Sequence, residues 1–271
     1  IFLDNFLDEK ITYQVVLHYC VMDYNEGNIL DTLSYRFTLN DILDTLTLSG
    51  RVEDAYTLNN LDNVWVMLFK EDTNDSLIFN AIPDYISKTD KNGFFHFPNL
   101  KHQNYKITAL TDFDFFYNKN EKIAFLDSLL NPKIDSFIVL STFDPILISD
   151  STLLDSIVVE KDSTIDLSKD TVIKDQLANF GNLEIYTNKN SPCIFQLLQK
   201  GAVKREIYFS QGPYLIKKIE AGIYDLKYIL DNNQDSVWNT GNWIMKIQPE
   251  KVVNYPAAIN IRSNWDLELE W

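Results

Sequence analysis

The sequence predicts an all-β protein built from tandem β-sandwiches. Three observations predict it. Short stretches of alternating apolar and polar residues recur along most of the chain, no stretch of twelve or more residues carries a helical period, and one strand-plus-loop pattern occurs twice. Gly and Pro number only 8 each in 271 residues, which excludes collagen-like and flexible-linker classes. With 45% hydrophobic and 13% aromatic residues, the chain has the material for a filled core, and its length allows about two domains.

Taken in order, Leu33, Tyr35, Phe37 and Leu39 alternate with Ser34, Arg36 and Thr38, as a half-buried strand does. Leu46, Leu48 and Val52 alternate with Thr47, Ser49 and Arg51. The run Val64-Trp65-Val66-Met67-Leu68-Phe69 is continuous and apolar, the pattern of a strand covered on both faces. At six residues it is far short of the ~18 that a membrane-spanning helix needs. Phe95 and Phe97 share one face, which puts His96 on the other, exposed one. Near the end, Trp265, Leu267, Leu269 and Trp271 fall on one face and are expected to point to the core, with Asp266, Glu268 and Glu270 opposite. If this last strand lies at a sheet edge, it can pair with a partner's sheet. Turn signals stand between strands at Asn25-Glu26-Gly27-Asn28, Asn92-Gly93, Gly212-Pro213 and Ala221-Gly222.

The repeat aligns Tyr105-Lys106-Ile107-Thr108-Ala109-Leu110-Thr111-Asp112 with Tyr224-Asp225-Leu226-Lys227-Tyr228-Ile229-Leu230-Asp231. In both, an alternating strand opens on Tyr and ends at an Asp. A polar, aromatic-tipped loop follows, and an Ile (Ile123, Ile244) stands five residues past the Asn that closes it. This predicts two related sandwich modules, residues 46–140 and 178–271. Residues 1–45 carry too few strands to close a sandwich alone. Residues 141–177, rich in Ser, Asp and Thr, are either an acidic linker or part of a further β domain.

The segment Leu48-Ser49-Gly50-Arg51-Val52-Glu53-Asp54 carries further residues of this pattern. So do Val64-Trp65-Val66, Thr89-Asp90-Lys91-Asn92-Gly93-Phe94-Phe95-His96-Phe97 and Leu100 with Tyr105-Lys106-Ile107. Together they resemble the carboxypeptidase-regulatory-like, or transthyretin-like (prealbumin-like), β-sandwich. Met22-Asp23-Tyr24-Asn25-Glu26-Gly27-Asn28 followed by Tyr35-Arg36-Phe37 resembles the last strands of a bacterial Ig-like domain. Asn239-Thr240-Gly241-Asn242-Trp243, Gln248-Pro249-Glu250-Lys251-Val252 and residues 264–271 are similar to the C-terminus of Ig-like-domain surface lipoproteins of Bacteroidota. The resemblance implies an exported protein associated with the outer membrane, at its periplasmic face or on the cell surface, with a lipid anchor outside this chain. It carries over no activity.

A net charge of −15 (24 Lys+Arg against 39 Asp+Glu) argues against nucleic acid and anionic membranes as partners. The chain opens on Ile1 without a targeting segment, which fits a processed or partial sequence. Cys20 and Cys193 stand far apart in the sequence and are expected to be two lone buried thiols.

Sites of chemistry are few. Asp231, Asn233 and Asp235 alternate oxygen ligands as a calcium loop does, and calcium is the one cofactor this pattern suggests. The match is partial, because Ser236 stands where Gly is expected and Asn242 where Glu is expected. A solvated Asx turn is the plain alternative. The matching loop of the first module keeps Asp112 and Asp114 but has Phe116 for the third ligand. Trp238 and Trp243, flanked by Asn239 and Asn242, are the candidate glycan or partner contacts, with core packing as the alternative for both rings. The three histidines, His18, His96 and His102, fall in no His-x-x-Glu zinc arrangement, and no Gly-x-Ser-x-Gly elbow exists. The expectation is a non-enzyme, an exported scaffold or accessory protein that binds other proteins. A glycan-binding module, or accessory domains of a longer enzyme, are the alternatives.

Overall fold

The computed structural model describes residues 7, 11–39, 41–75, 81–111, 117, 121–145, 179–187 and 191–271. Among these residues there are seventeen strands and no helix, so the protein is all-β. The chain divides into two compact units, residues 1–54 with 59–144 and residues 55–58 with 145–271.

The first unit contains a hairpin and a sandwich. The hairpin is β1 (Thr12–Met22) and β2 (Ile29–Thr38), turned at Gly27, whose φ of 70 suits a residue without a Cβ. Its register places Tyr13 opposite Phe37, Val15 opposite Tyr35 and Leu17 opposite Leu33. Over these three pairs one face is apolar, while Gln14, Val16, Ser34 and Arg36 occupy the other. Asp44 ties the start of β1 to the sandwich, exchanging bonds with Thr12 (Thr12 N–H to Oδ2, 3.2 Å; Asp44 N–H to Oγ1 of Thr12, 2.8 Å). Cys20, expected to be buried, is exposed on this hairpin. Cys193 is buried, and both thiols are free.

The sandwich pairs two sheets. In one, β3 (Leu46–Asp54) lies between antiparallel β6 (Phe94–Leu100) and parallel β9 (Phe137–Thr142). In the other the order is β5 (Tyr85–Lys88), β4 (Trp65–Lys70), β7 (Tyr105–Leu110) and β8 (Ile123–Phe125). Leu48, Val52, Phe95, Phe97 and Leu140 of the first sheet meet Val66, Leu68, Ile107, Ala109 and Ala124 of the second in one core. Met67 and Phe69 on the far side of β4 are buried too, which accounts for the unbroken apolar run. The Asn92-Gly93 signal forms the tight turn before β6. The Asp90 carboxylate accepts the N–H of Asn92 (2.8 Å) and of Phe94 (2.9 Å), and Gly93 has φ 79. β9 runs to Thr142 and Phe143 is buried, so residues 141–143 belong to this sandwich rather than to the segment 141–177. Residues 146–178 lie outside the described residues.

The second unit repeats the arrangement. β10 (Phe180–Tyr186) lies between antiparallel β13 (Tyr214–Glu220) and parallel β17 (Asp266–Glu270). The facing sheet runs β12 (Ala202–Phe209), β11 (Cys193–Gln199), β14 (Gly222–Leu230) and β15 (Val252–Asn254), with β16 (Ile259–Ile261) also on β14. Strand for strand this is the topology of the first sandwich with one strand added. Its core joins Leu183, Ile185, Phe195, Leu197, Ile216, Leu226 and Ile261.

The repeated tyrosine has one job in both units. Tyr105 Oη donates to the carbonyl of Lys101 at 3.0 Å, and Tyr224 Oη donates to the carbonyl of Glu220 at 3.0 Å. Each ring is buried at the start of its alternating stretch, and each hydroxyl closes the corner four residues upstream. The second half of the repeat departs from expectation. Ile123 pairs with Leu110 and is buried, whereas Ile244 is 78% exposed and Val252 takes the equivalent place opposite Ile229. The longer loop of the second unit displaces the strand, so spacing alone misplaces it. Trp265, expected in the core, is 60% exposed at the entry to β17. Trp271 does reach the core and packs against Phe195, Tyr228 and Tyr255.

Candidate functional site

The sequence singles out the polar loop between β14 and β15, and the structure gathers its candidate residues there. Asp231 directly follows β14 and is fully buried. A buried carboxylate requires donors, and the loop's backbone supplies them. Oδ1 accepts from the N–H of Gln234 (2.7 Å) and Asp235 (3.3 Å), and Oδ2 accepts from Ser236 (2.9 Å). Asp235 is held in turn by Asn233 Nδ2 (2.9 Å), Asn239 Nδ2 (2.8 Å) and the Val237 N–H (2.9 Å). Burial works against its charged form, but these three hydrogen bonds outweigh it and pull the carboxyl below its ordinary value. The loop bends sharply enough to place Gln234 and Ser236 at positive φ (62 and 67). All three candidate calcium ligands therefore serve as hydrogen-bonding partners inside the loop. Among the described residues, no group of three or more His, Cys, Asp or Glu is placed to hold a metal ion. Asp112, Asp114 and Phe116 lie outside the described residues.

Sequence reasoning did not single out Glu250, which closes this loop from its far end. Its side chain is buried. Oε1 accepts the Asn232 N–H at 2.7 Å and Oε2 accepts the Asn239 N–H at 3.0 Å, while its own N–H donates to the Asn239 carbonyl at 3.0 Å. Trp238 Nε1 donates to the Glu250 carbonyl at 3.0 Å, and the indole packs against Ile194, Ile229 and Val252. Trp243 is 9% exposed, with Lys246 Nζ 3.1 Å from its ring centroid. Asn242 is buried and accepts the Met245 N–H through Oδ1 at 3.0 Å. Both indoles and their Asn neighbours thus have packing or loop-closing contacts.

Other reactive side chains sit elsewhere. Ser49 Oγ is 2.9 Å from His96 Nδ1, a cross-strand pair on the exposed side of β3 and β6. Cys193 lies in the second core. Burial pushes its thiol up to about 11, so it is protonated at neutral pH. Burial likewise pushes the Tyr228 phenol up to about 12, and this hydroxyl is enclosed without a hydrogen-bond partner among the described residues. Tyr228 lines a cavity of about 130 Å³ with Thr187, Phe195, Val253 and Trp271. A crevice of about 350 Å³ in the first unit is lined by Tyr13, Gln14, Lys70, Asp84, Tyr85 and Asn99 among others. No helix among the described residues is long and apolar enough to cross a membrane.

No protein-family model matches the chain. No curated protein matches it either. Among solved structures it is similar to the TIE protein of Bacillus anthracis, at 14% identity over 89% of this chain and 38% of that one, with a TM-score of 0.26. It is also similar to GBS52, the minor pilin of Streptococcus agalactiae, at 12% identity over 84% of this chain and 94% of that one, with a TM-score of 0.27. A DUF3823 family protein from Parabacteroides merdae gives 13% identity, 79% and 99% coverage, and a TM-score of 0.26. The chain spans about two fifths of the TIE protein's length.

Proposed function

We propose that this chain is a non-catalytic, exported scaffold or accessory protein that binds other proteins in an outer-membrane or cell-surface assembly. The observation that carries this reading is the one-sided hairpin. Leu33 and Tyr35 lie on its apolar face at 44% and 65% exposure, beside half-buried Tyr13, Val15 and Leu17. A contiguous apolar face of this kind is covered by protein in the working molecule, and a two-stranded hairpin is marginal without such cover. The acidic charge of −15 supports a partner with a protein surface rather than a nucleic acid. The resemblance to Ig-like-domain surface lipoproteins supports export and the envelope location. Calcium at Asp231, Asn233 and Asp235 remains part of the proposal. Binding there would have to displace the Asn233 and Asn239 bonds to Asp235, and melting with calcium against chelator tests it.

A photo-crosslinking residue at Tyr35, introduced in the native host, tests the reading. The expected product is an adduct with a second polypeptide recovered in the envelope fraction. Adducts confined to this chain, or a protein found only in the cytosol, would overturn it.

A further inference from the structure

β17 is the outer strand of its sheet, paired with β10 on one side and with no strand of the described residues on the other. Its solvent face is a row of Asp266, Glu268 and Glu270. In the parallel register these stand beside Asn182, Glu184 and Tyr186 of β10, so Glu184 and Glu268 lie side by side. Like charges placed this way destabilise a ladder. None of the four carboxylates belongs to an ion pair among the described residues; Asp266 accepts from Asn182 Nδ2 at 2.6 Å and Glu184 is hydrogen-bonded by the Tyr186 hydroxyl. The crowding reaches the neighbouring phenol. A hydrogen bond to Glu184, then burial, then the charges of Glu184 and Glu268 push Tyr186 above its ordinary value.

The topology does not demand these acids. The equivalent strand of the first sandwich, β9, carries Phe137, Val139 and Ser141 in the alternate positions. An edge strand exposes unpaired backbone donors and acceptors. A second copy of this chain laid along the edge would bring acid against acid, so the row selects against self-pairing. A strand with basic residues at every second position neutralises it.

We propose that the β17 edge is a docking site for an extended, basic segment of a partner protein, added as the next strand of the β13-β10-β17 sheet. Its Lys or Arg side chains alternate to face Asp266, Glu268 and Glu270, and its intervening apolar residues extend the row of Leu267 and Leu269. A segment of about five residues matches the strand. This inference rests on the protein-binding reading above and names the partner's chemistry.

The test titrates the full chain with the labelled peptide Lys-Val-Lys-Val-Lys-Val-Lys. Two further peptides carry N-methyl groups on alternate amides, one in each phase, and keep every charge. The expected results are saturable, salt-sensitive binding, loss of binding for at least one N-methyl peptide, and weakening by about tenfold in the Glu268→Gln/Glu270→Gln variant. Absence of binding, equal binding by all three peptides, or an unaffected variant would each overturn the proposal. Failure here leaves the Tyr35 crosslinking result untouched, so the two readings fail separately.

Discussion

Gly50 of β3 and Gly181 of β10 each sit in the central strand of a three-stranded sheet, Gly50 opposite Ile138 of parallel β9 and Gly181 one residue before the start of the parallel ladder with β17. A Cβ on Gly50 would fall on the Ile138 carbonyl oxygen and 2.5 Å from Cζ of Phe95. A Cβ on Gly181 would fall on the Arg262 carbonyl oxygen and 2.9 Å from that of Trp265. Neither glycine has a positive φ, so the constraint is close approach and not backbone conformation. Gly50→Ala and Gly181→Ala should each lower stability by about 1–3 kcal/mol in urea denaturation. An unchanged midpoint would mean the strands can separate freely.

The paired tyrosine corners make a second prediction. Tyr105→Phe and Tyr224→Phe each remove one hydroxyl donor from a backbone carbonyl and leave the ring in place. Each should lower stability by about 1 kcal/mol. Were only one of the two substitutions to matter, the corners would not be equivalent.

Trp238 separates packing from recognition. Its indole fills a gap beside Ile194 and Val252 and bonds the Glu250 carbonyl. Trp238→Ala should destabilise by about 3 kcal/mol, read by thermal melting. A variant that melts normally but no longer binds a glycan array would restore the glycan-contact role.

The buried thiol and phenol of the second core set an alkaline limit. Burial raises Cys193 to about 11 and Tyr228 to about 12, above their values in the unfolded chain. The folded state then holds protons that the unfolded state releases, so their contribution is intact below about pH 9 and is lost as pH rises toward 12. Stability should fall across that interval, and Cys193→Ala should remove the part that begins near pH 9. A flat profile from pH 9 to 12 would contradict the assigned burial.

The features legible in the sequence are those decided by neighbours along the chain. The Val64-Trp65-Val66-Met67-Leu68-Phe69 run, the Phe95/Phe97 face and the Asp90–Gly93 turn all follow from local period and turn chemistry. Tyr105 and Tyr224 were visible as a repeat, although their corner bonds were not. Glu250 was out of reach because its partners, Asn232 and Asn239, lie 18 and 11 residues upstream and only the folded loop brings them together. Trp265 failed for a related reason. Alternation assigns it the core side, but it sits at the strand's entry, where no second layer covers it. Ile123 and Ile244 share a spacing but not a place in the fold, because loop length differs between the two copies.

The most direct measurement on the central claim is gentle detergent extraction of the native protein from its host membranes, followed by sizing and mass spectrometry. Migration within a larger envelope assembly, together with identifiable protein partners, is the predicted result. A protein that runs alone at its own mass would contradict it.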